Sequence, residues 1–155
     1  MSQLRQYGWG SKYDATIKGG VNSRLDEVQA AFLLARLPLL DELNTRRRSI
    51  VTRYRAAASG GAIRVLPADG PHHVAHLAVA LTDQRDGIRS QLASRGVATD
   101  VHFPLPDYLQ PGFELESMVL PVTERASNQV FSLPCFPELT DDEVDYVCDA
   151  IAGLE

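Results

Sequence analysis

Apolar residues recur at helical spacing in the first third of the chain. They fall every three or four positions between Leu25 and Ala35, which predicts a helix over residues 24–37 with one apolar face. Pro38 lacks an amide donor, so it ends or kinks this helix and is also a favourable first residue for the next one. A second helix is predicted over residues 38–58, and together the two predict a long bent helical segment.

Strand and helix patterns alternate in the remainder of the chain. The predicted strands cover residues 63–66, 74–81, 97–103 and 131–133, and the predicted helices cover residues 83–95, 123–130 and 139–154. Thr140 is in position to cap the last helix, with Glu143 at the capping-box position. This order predicts an α+β fold in which helices cover a small, mostly antiparallel sheet, preceded by the long bent helix.

A glycine turn with polar neighbours precedes the first helix. Gly19–Gly20 supply backbone freedom, Ser23 is in position to cap the helix, and Asp26 completes a capping-box pattern. A helix start that also carries Asn22 and Arg24 is a natural place to hold an anion such as phosphate. On local grounds an ordinary cap is the favoured interpretation, and an anion site is the alternative.

Composition narrows the class of protein. A chain of 155 residues, 45% of them hydrophobic, is long enough for one domain with a substantial core. Its formal net charge of −5 argues against a general nucleic-acid binder, which would show a basic surface. No apolar run approaches the length of a membrane span, and the N-terminus does not resemble a signal peptide. We therefore expect a cytoplasmic protein without membrane contact.

Histidine and cysteine supply few metal ligands. Cys135 and Cys148 are the only cysteines; two thiols do not complete a structural zinc site, and their apolar neighbours predict buried thiols. His72, His73 and His76 lie close together and invite a metal site, but nothing nearby in sequence completes the ligand set. We predict surface histidines at a strand edge and no bound metal.

His102 ends a predicted strand and precedes a proline-rich loop. Prolines at 104, 106 and 111 stiffen this loop, which presents Tyr108 and Gln110. A stiff loop with these side chains suits a polar ligand, because little entropy is lost on binding. A packed loop with an exposed tyrosine fits the pattern equally well. The chain has no nucleophile elbow, phosphate loop or dinucleotide fingerprint.

Several motifs, in this order along the chain, resemble the DegT-type sugar aminotransferases. The motifs are Tyr7-Gly8, residues 20–31, residues 40–41 with 46–47, residues 84–86, residues 96–99 with 102–106, and residues 133–137. Members of this family are fold-type I enzymes that use pyridoxal phosphate to transfer an amino group to a ketosugar on a nucleotide diphosphate. The resemblance covers the whole chain but only the C-terminal part of such enzymes. It implies that residues 1–37 are the tail of the large domain and the inter-domain helix, and that residues 38–155 are the small domain.

The resemblance also implies roles for particular residues. Asn22 matches the family asparagine that reaches the cofactor phosphate of the neighbouring subunit in a homodimer, with Arg24 and Tyr13 as further contributors. His102 and Tyr108 lie on the side of the nucleotide-sugar substrate. Phe103 replaces the tyrosine usual after the histidine and so loses a hydroxyl group.

No catalytic residue is predicted in this chain. Its only lysines, Lys12 and Lys18, do not match the family lysine that forms the Schiff base with the cofactor. The first hypothesis is therefore the C-terminal part of a nucleotide-sugar aminotransferase that uses an amino-acid donor and is inactive alone. The second hypothesis is a naturally truncated, non-catalytic binding or dimerisation module.

Overall fold

The computed structural model describes residues 2–113 and 118–155. The chain divides into two compact units, Met1–Leu40 and Asp41–Glu155. Among the described residues, no helix combines the length and the apolar character needed to cross a bilayer.

A short hairpin and an extended segment make up most of the first unit. Strand β1 (Trp9–Ser11) pairs antiparallel with β2 (Asp14–Ala15). The segment over residues 20–23 runs beside the N-terminal residues: the Tyr7 amide donates to the Val21 carbonyl at 3.0 Å, and the Ser23 amide donates to the Arg5 carbonyl at 3.0 Å.

Gly20 is required by close approach within this unit. A Cβ atom placed on Gly20 would lie 2.0 Å from the Gly8 backbone nitrogen, a distance that no side chain tolerates. Gly19 instead adopts a φ of +85°, with no atom within 4 Å of the same position. Gly20 is therefore needed for the close approach of two backbone segments, and Gly19 for its backbone conformation.

Helix α1 (Glu27–Arg36) begins three residues later than predicted. Asp26, not Ser23, is its N-cap, and the Asp26 Oδ1 atom accepts a hydrogen bond from the Val28 amide at 3.0 Å. The predicted Ser23 cap is wrong because the backbone of residues 20–23 is held extended against the N-terminal segment. A 3₁₀ turn over Leu37–Leu39 contains Pro38, and α2 (Leu40–Ala57) follows.

The second unit has the predicted α+β architecture. Its antiparallel sheet has the order β3 (Arg64–Val65), β4 (Ala78–Leu81), β5 (Val130–Leu133). Ala80 of the central strand lies opposite both Val65 and Phe131. The remaining helices are α3 (Arg85–Ser94), α4 (Pro121–Gln129) and α5 (Asp141–Ala152), with 3₁₀ turns at Asp107–Leu109 and Pro111–Phe113.

The strand predicted over residues 97–103 is wrong. Only Asp100 pairs with the sheet, through a single bridge to Ser132 at the free edge of β5. The Val101 amide donates to the Asp100 carboxylate at 2.8 Å instead of to a partner strand. Phe103 then adopts a φ of +55°, and Pro104 follows without an amide donor. The alternating pattern therefore yields one bridge and a bend.

The core of this unit lies between the sheet and helices α2, α3 and α5. Its largest fully buried side chains are Ile50, Val51, Tyr54, Ile88, Leu92, Phe131, Val144 and Ile151. The predicted capping box at α5 is confirmed, since the Glu143 amide donates to Thr140 Oγ1 and the Thr140 amide donates to the Glu143 carboxylate.

Charged side chains join helices α2 and α5 at the surface. The Asp141 carboxylate accepts from Arg46 at 2.8 Å and from Arg53 at 3.1 Å, and Arg53 also pairs with Asp145. The Arg46 hydrogen bond lowers the pKa of Asp141 below its ordinary range. These contacts fix α5, which starts directly after the segment that leaves β5.

Candidate functional site

A cavity of about 340 Å³ opens beside the free edge of β5. It is lined by His76, Leu77, Ala98, Thr99, Asp100, His102, Ser132, Leu133, Pro134 and Cys135. Imidazole, hydroxyl and carboxylate groups thus meet apolar walls in one concave space, which is the usual make-up of a small-molecule site.

His102 is the best-defined polar group of this cavity. Its Nδ1 atom lies 3.0 Å from the Ser132 hydroxyl oxygen, and its Nε2 atom lies 3.8 Å from a carboxylate oxygen of Asp100. The backbone bridge between Asp100 and Ser132 places these three side chains together. The order of the ring nitrogens is opposite to that of a Ser–His–Asp triad, in which serine meets Nε2 and the carboxylate meets Nδ1. The cluster therefore lacks the arrangement of a catalytic triad.

Neighbouring groups hold the walls of the cavity. Arg89 of α3 donates to the Thr99 hydroxyl and to the Thr99 carbonyl, both at 3.1 Å. The Tyr54 hydroxyl donates to the Pro134 carbonyl at 3.0 Å. Two core helices thus fix the segments on either side of His102.

Both cysteines are half-buried rather than fully buried, which corrects the sequence prediction. The Cys135 thiol contacts the Ala75 carbonyl at 3.5 Å, and burial raises its pKa. A raised pKa keeps the thiol protonated at neutral pH, so Cys135 does not have the character of a nucleophile.

Tyr108 lies apart from the residues that line this cavity. It is buried, and its hydroxyl donates to the Glu124 carboxylate at 3.3 Å, which also accepts from the Leu120 amide. Burial, and then the nearby Glu124 carboxylate, raise the pKa of Tyr108. The alternative of an exposed tyrosine is wrong: Phe103, which is 83% exposed, is the aromatic side chain that this loop presents.

The local contacts of the histidines do not favour the metal-site alternative. The His73 Nδ1 atom accepts from the Ala75 amide at 3.0 Å, and the His73 carbonyl accepts from Arg48. Over residues 2–113 and 118–155, no group of three or more His, Cys, Asp or Glu side chains is arranged to hold a metal ion. Because β4 begins only at Ala78, His76 lies before the strand and lines the cavity.

The predicted phosphate-binding residues lie in the first unit. Asn22 is exposed, and its backbone bridges to Gln6. The Arg24 guanidinium lies 5.9 Å from the centre of the Tyr7 ring. Tyr13 is exposed and packs edge-on against Trp9 at 5.2 Å.

The helix start itself is unsuited to phosphate. The Asp26 carboxylate already accepts from the Val28 amide in the first turn of α1, and Glu27 adds a second carboxylate to that turn. The amide of Asn22 and the guanidinium of Arg24, by contrast, are hydrogen-bond donors of the kind that phosphate requires. Among the described residues, no side-chain hydrogen bond engages the Asn22 amide. These two side chains therefore fit the phosphate of a cofactor, whereas the helix terminus does not.

Fold and motifs agree with one family of enzymes. The chain belongs to the DegT/DnrJ/EryC1/StrS aminotransferase family, whose model matches residues 1–152. This confirms the resemblance inferred from the sequence motifs. Aminotransferases of this family depend on pyridoxal phosphate.

Individual relatives are similar over nearly all of this chain. It is 37% identical to dTDP-3-amino-3,6-dideoxy-alpha-D-galactopyranose transaminase of Aneurinibacillus thermoaerophilus, over 97% of this chain and 42% of that protein. The structure of S. venezuelae DesV is 39% identical, with a TM-score of 0.86 over 97% of this chain and 42% of DesV. The structure of NtdA from Bacillus subtilis with bound cofactor PMP is 30% identical, with a TM-score of 0.83 over 96% and 37% of the respective chains. The chain therefore spans well under half the length of these relatives.

Proposed function

We propose that this chain is the C-terminal part of a pyridoxal-phosphate-dependent aminotransferase that acts on a nucleotide-diphosphate ketosugar, in amino- or deoxysugar biosynthesis. The match over 97% of this chain but 42% of the Aneurinibacillus relative supports a part of such an enzyme. In this proposal residues 1–37 are the tail of the large domain and the inter-domain helix. Residues 38–155 are the C-terminal small domain.

The uncovered apolar face of α1 carries this proposal. No residue of α1 is buried, and Val28 and Phe32 are 79% and 63% exposed. Leu25, Val28, Gln29, Phe32 and Leu33 line a groove of about 450 Å³. Contiguous apolar surface of this kind marks an interaction site. We assign it to the large domain and to the second subunit of a homodimer.

The cofactor, when bound, supplies the electron sink and the carrier of the amino group. Neither Lys12 nor Lys18 matches the family lysine that bonds to it, so we propose that this chain alone is inactive and does not retain the cofactor. Asn22 and Arg24 donate hydrogen bonds to the phosphate held by the neighbouring subunit, and Tyr13 flanks them. All three act in the assembled enzyme, in the cytoplasm.

On the substrate side, His102 faces the nucleotide sugar from the cavity beside β5. Tyr108 contributes indirectly, because its hydrogen bond to Glu124 holds the loop that follows His102. An amino-acid donor uses the same assembled site in the other half of the reaction.

A hybrid enzyme tests the proposal. The region of the Aneurinibacillus transaminase that this chain does not match is joined to residues 1–155, and amino transfer to a dTDP-ketosugar is measured. We expect activity from the hybrid and none from either piece. A folded, cofactor-loaded hybrid without activity would contradict the proposal and favour a non-catalytic module.

The hybrid also tests Asn22. We expect Asn22→Ala to increase the dissociation constant for pyridoxal phosphate about tenfold, the equivalent of about 1.4 kcal/mol. The thermal midpoint of the cofactor-free protein should not change, because Asn22 is exposed. The control is Asn128→Ala on α4, which also removes an exposed amide and should leave the dissociation constant unchanged. Equal cofactor affinity in the Asn22 variant and its parent would remove Asn22 from the site.

A further inference from the structure

We propose that Ser132 is a positioning residue: it fixes one tautomer and one orientation of the His102 ring, so that the ring presents its Nε2–H group as a hydrogen-bond donor to the cavity. The ligand class rests on the proposed function, whereas the state of the ring does not. The donor would then meet an acceptor oxygen of the nucleotide sugar, from a hydroxyl, carbonyl or phosphate group.

The position of Ser132 is set by the sheet. Ser132 is 7% exposed and lies in β5 between the buried residues Phe131 and Leu133. Its amide donates to the Asp100 carbonyl at 2.7 Å, and its carbonyl accepts from the Asp100 amide at 3.2 Å. Both backbone groups are therefore engaged, and the hydroxyl is held 3.0 Å from His102 Nδ1.

The surrounding charges decide which ring nitrogen carries the proton. Asp100 places a carboxylate oxygen 3.8 Å from Nε2, and this negative charge favours a proton on Nε2. Nδ1 then has a free lone pair, and the Ser132 hydroxyl donates to it. The hydrogen bond at one ring nitrogen thus fixes the state of the other, as it does for histidines oriented by a neighbouring group.

A fixed donor gives the cavity a preference for acceptors. An acceptor oxygen of the ligand would gain a hydrogen bond from the Nε2–H group, whereas a ligand group that offers only N–H bonds would gain none. His102 is held from both sides, by the bridge at Asp100 and by the positive φ of Phe103 that turns the chain away. The backbone on both sides of His102 is therefore fixed before a ligand binds.

Nuclear magnetic resonance of the full 155-residue chain tests this inference without any ligand. Ring ¹⁵N shifts of His102 report the tautomer at about pH 8.5, where an ordinary histidine is neutral. Side-chain couplings report its χ1 rotamer. We expect the wild type to show the Nε2–H tautomer and a single rotamer. In Ser132→Ala the ratio of Nε2–H to Nδ1–H should fall about fivefold, the equivalent of one hydrogen bond of about 1 kcal/mol, and the rotamers should average.

Two controls separate positioning from a general structural effect. Ser132→Thr keeps the hydroxyl and should restore the wild-type tautomer ratio. Ser90→Ala removes a serine hydroxyl that bonds only to the Asp86 carbonyl, and should change neither readout. A wild-type ring with its proton on Nδ1, or a Ser132→Ala ring identical to the wild type, would overturn the inference. Because no cofactor or sugar is present, an inactive hybrid enzyme would refute the proposed function and leave this result standing.

Discussion

The hydroxyl of Tyr54 provides a sensitive test of how the core holds the cavity wall. Tyr54 on α2 is fully buried, and its hydroxyl donates to the Pro134 carbonyl at 3.0 Å. Burial raises the pKa of this phenol, so it stays a hydrogen-bond donor at neutral pH. Tyr54→Phe removes one oxygen atom and keeps the ring in its place. The change therefore isolates the hydrogen bond from the packing.

The expected loss of stability in Tyr54→Phe follows from the burial of the hydroxyl group. A net hydrogen bond contributes about 1 kcal/mol, and a carbonyl left without its donor in a partly buried place raises the loss to about 1–2 kcal/mol. Tyr146 offers a matched control, since its hydroxyl also donates to a backbone carbonyl, that of Arg95 at 2.7 Å. Tyr146 is 57% exposed, so water replaces the lost bond. Tyr146→Phe should cost no more than about 0.5 kcal/mol.

Urea unfolding monitored by circular dichroism measures both losses. The two variants should share the wild-type m-value, because neither changes the surface exposed on unfolding. The Tyr54 variant should have the clearly lower midpoint. Equal midpoints for the two variants, or a larger loss at Tyr146, would refute the argument that burial sets the strength of these bonds.

Two further perturbations test other parts of the structure. The Val21 amide donates to the Leu4 carbonyl at 2.8 Å. Gly20→Ala should abolish the hydrogen-exchange protection of this amide, because the added Cβ would lie 2.0 Å from the Gly8 nitrogen. Gly19→Ala should retain most of the protection, and equal protection in the two variants would contradict the packing. Asp141 has a lowered pKa, so its native form binds fewer protons than the unfolded form. The contribution of Asp141 to the stability of the folded state is complete above the ordinary carboxyl pKa of about 4. It is lost as the pH falls through the lower pKa that Asp141 has in the folded state. In Asp141→Asn the thermal midpoint should therefore fall less steeply as the pH is lowered through the acid range. An unchanged fall would contradict the ion pair.

The sequence correctly predicted the elements that are defined by caps or apolar spacing within a few residues. The capping box of Thr140 and Glu143 defined the start of α5, and apolar spacing placed α3. Gly96 follows α3 with a φ of +75°, a conformation common for glycine just past the end of a helix. In these segments the interactions that fix the structure are local, so the sequence alone is informative.

Contacts between distant segments explain the errors. The first helix starts at Glu27 because residues 20–23 pair with the N-terminal segment. The segment before Phe103 forms only one bridge to β5, because the Asp100 carboxylate accepts from the Val101 amide and the positive φ of Phe103 bends the chain. Tyr108 is buried, and its hydroxyl bonds to Glu124, a contact sixteen residues away in the sequence that no local pattern indicates.

The candidate site was only partly foreseen. His102 stood out because it precedes a proline loop, and the family motif supplied Asn22. Ser132 carried no signal, since a single serine in an apolar strand looks like any other strand residue. Its position opposite Asp100 emerges only when β5 meets the preceding segment.

The ultraviolet–visible spectrum of this chain mixed with pyridoxal phosphate tests the central claim most directly. We expect the spectrum of free cofactor, because in the proposed function neither Lys12 nor Lys18 is the lysine that bonds to it. A stable, stoichiometric Schiff-base band that disappears in Lys12→Ala or Lys18→Ala would contradict it. That result would show a cofactor lysine inside these 155 residues.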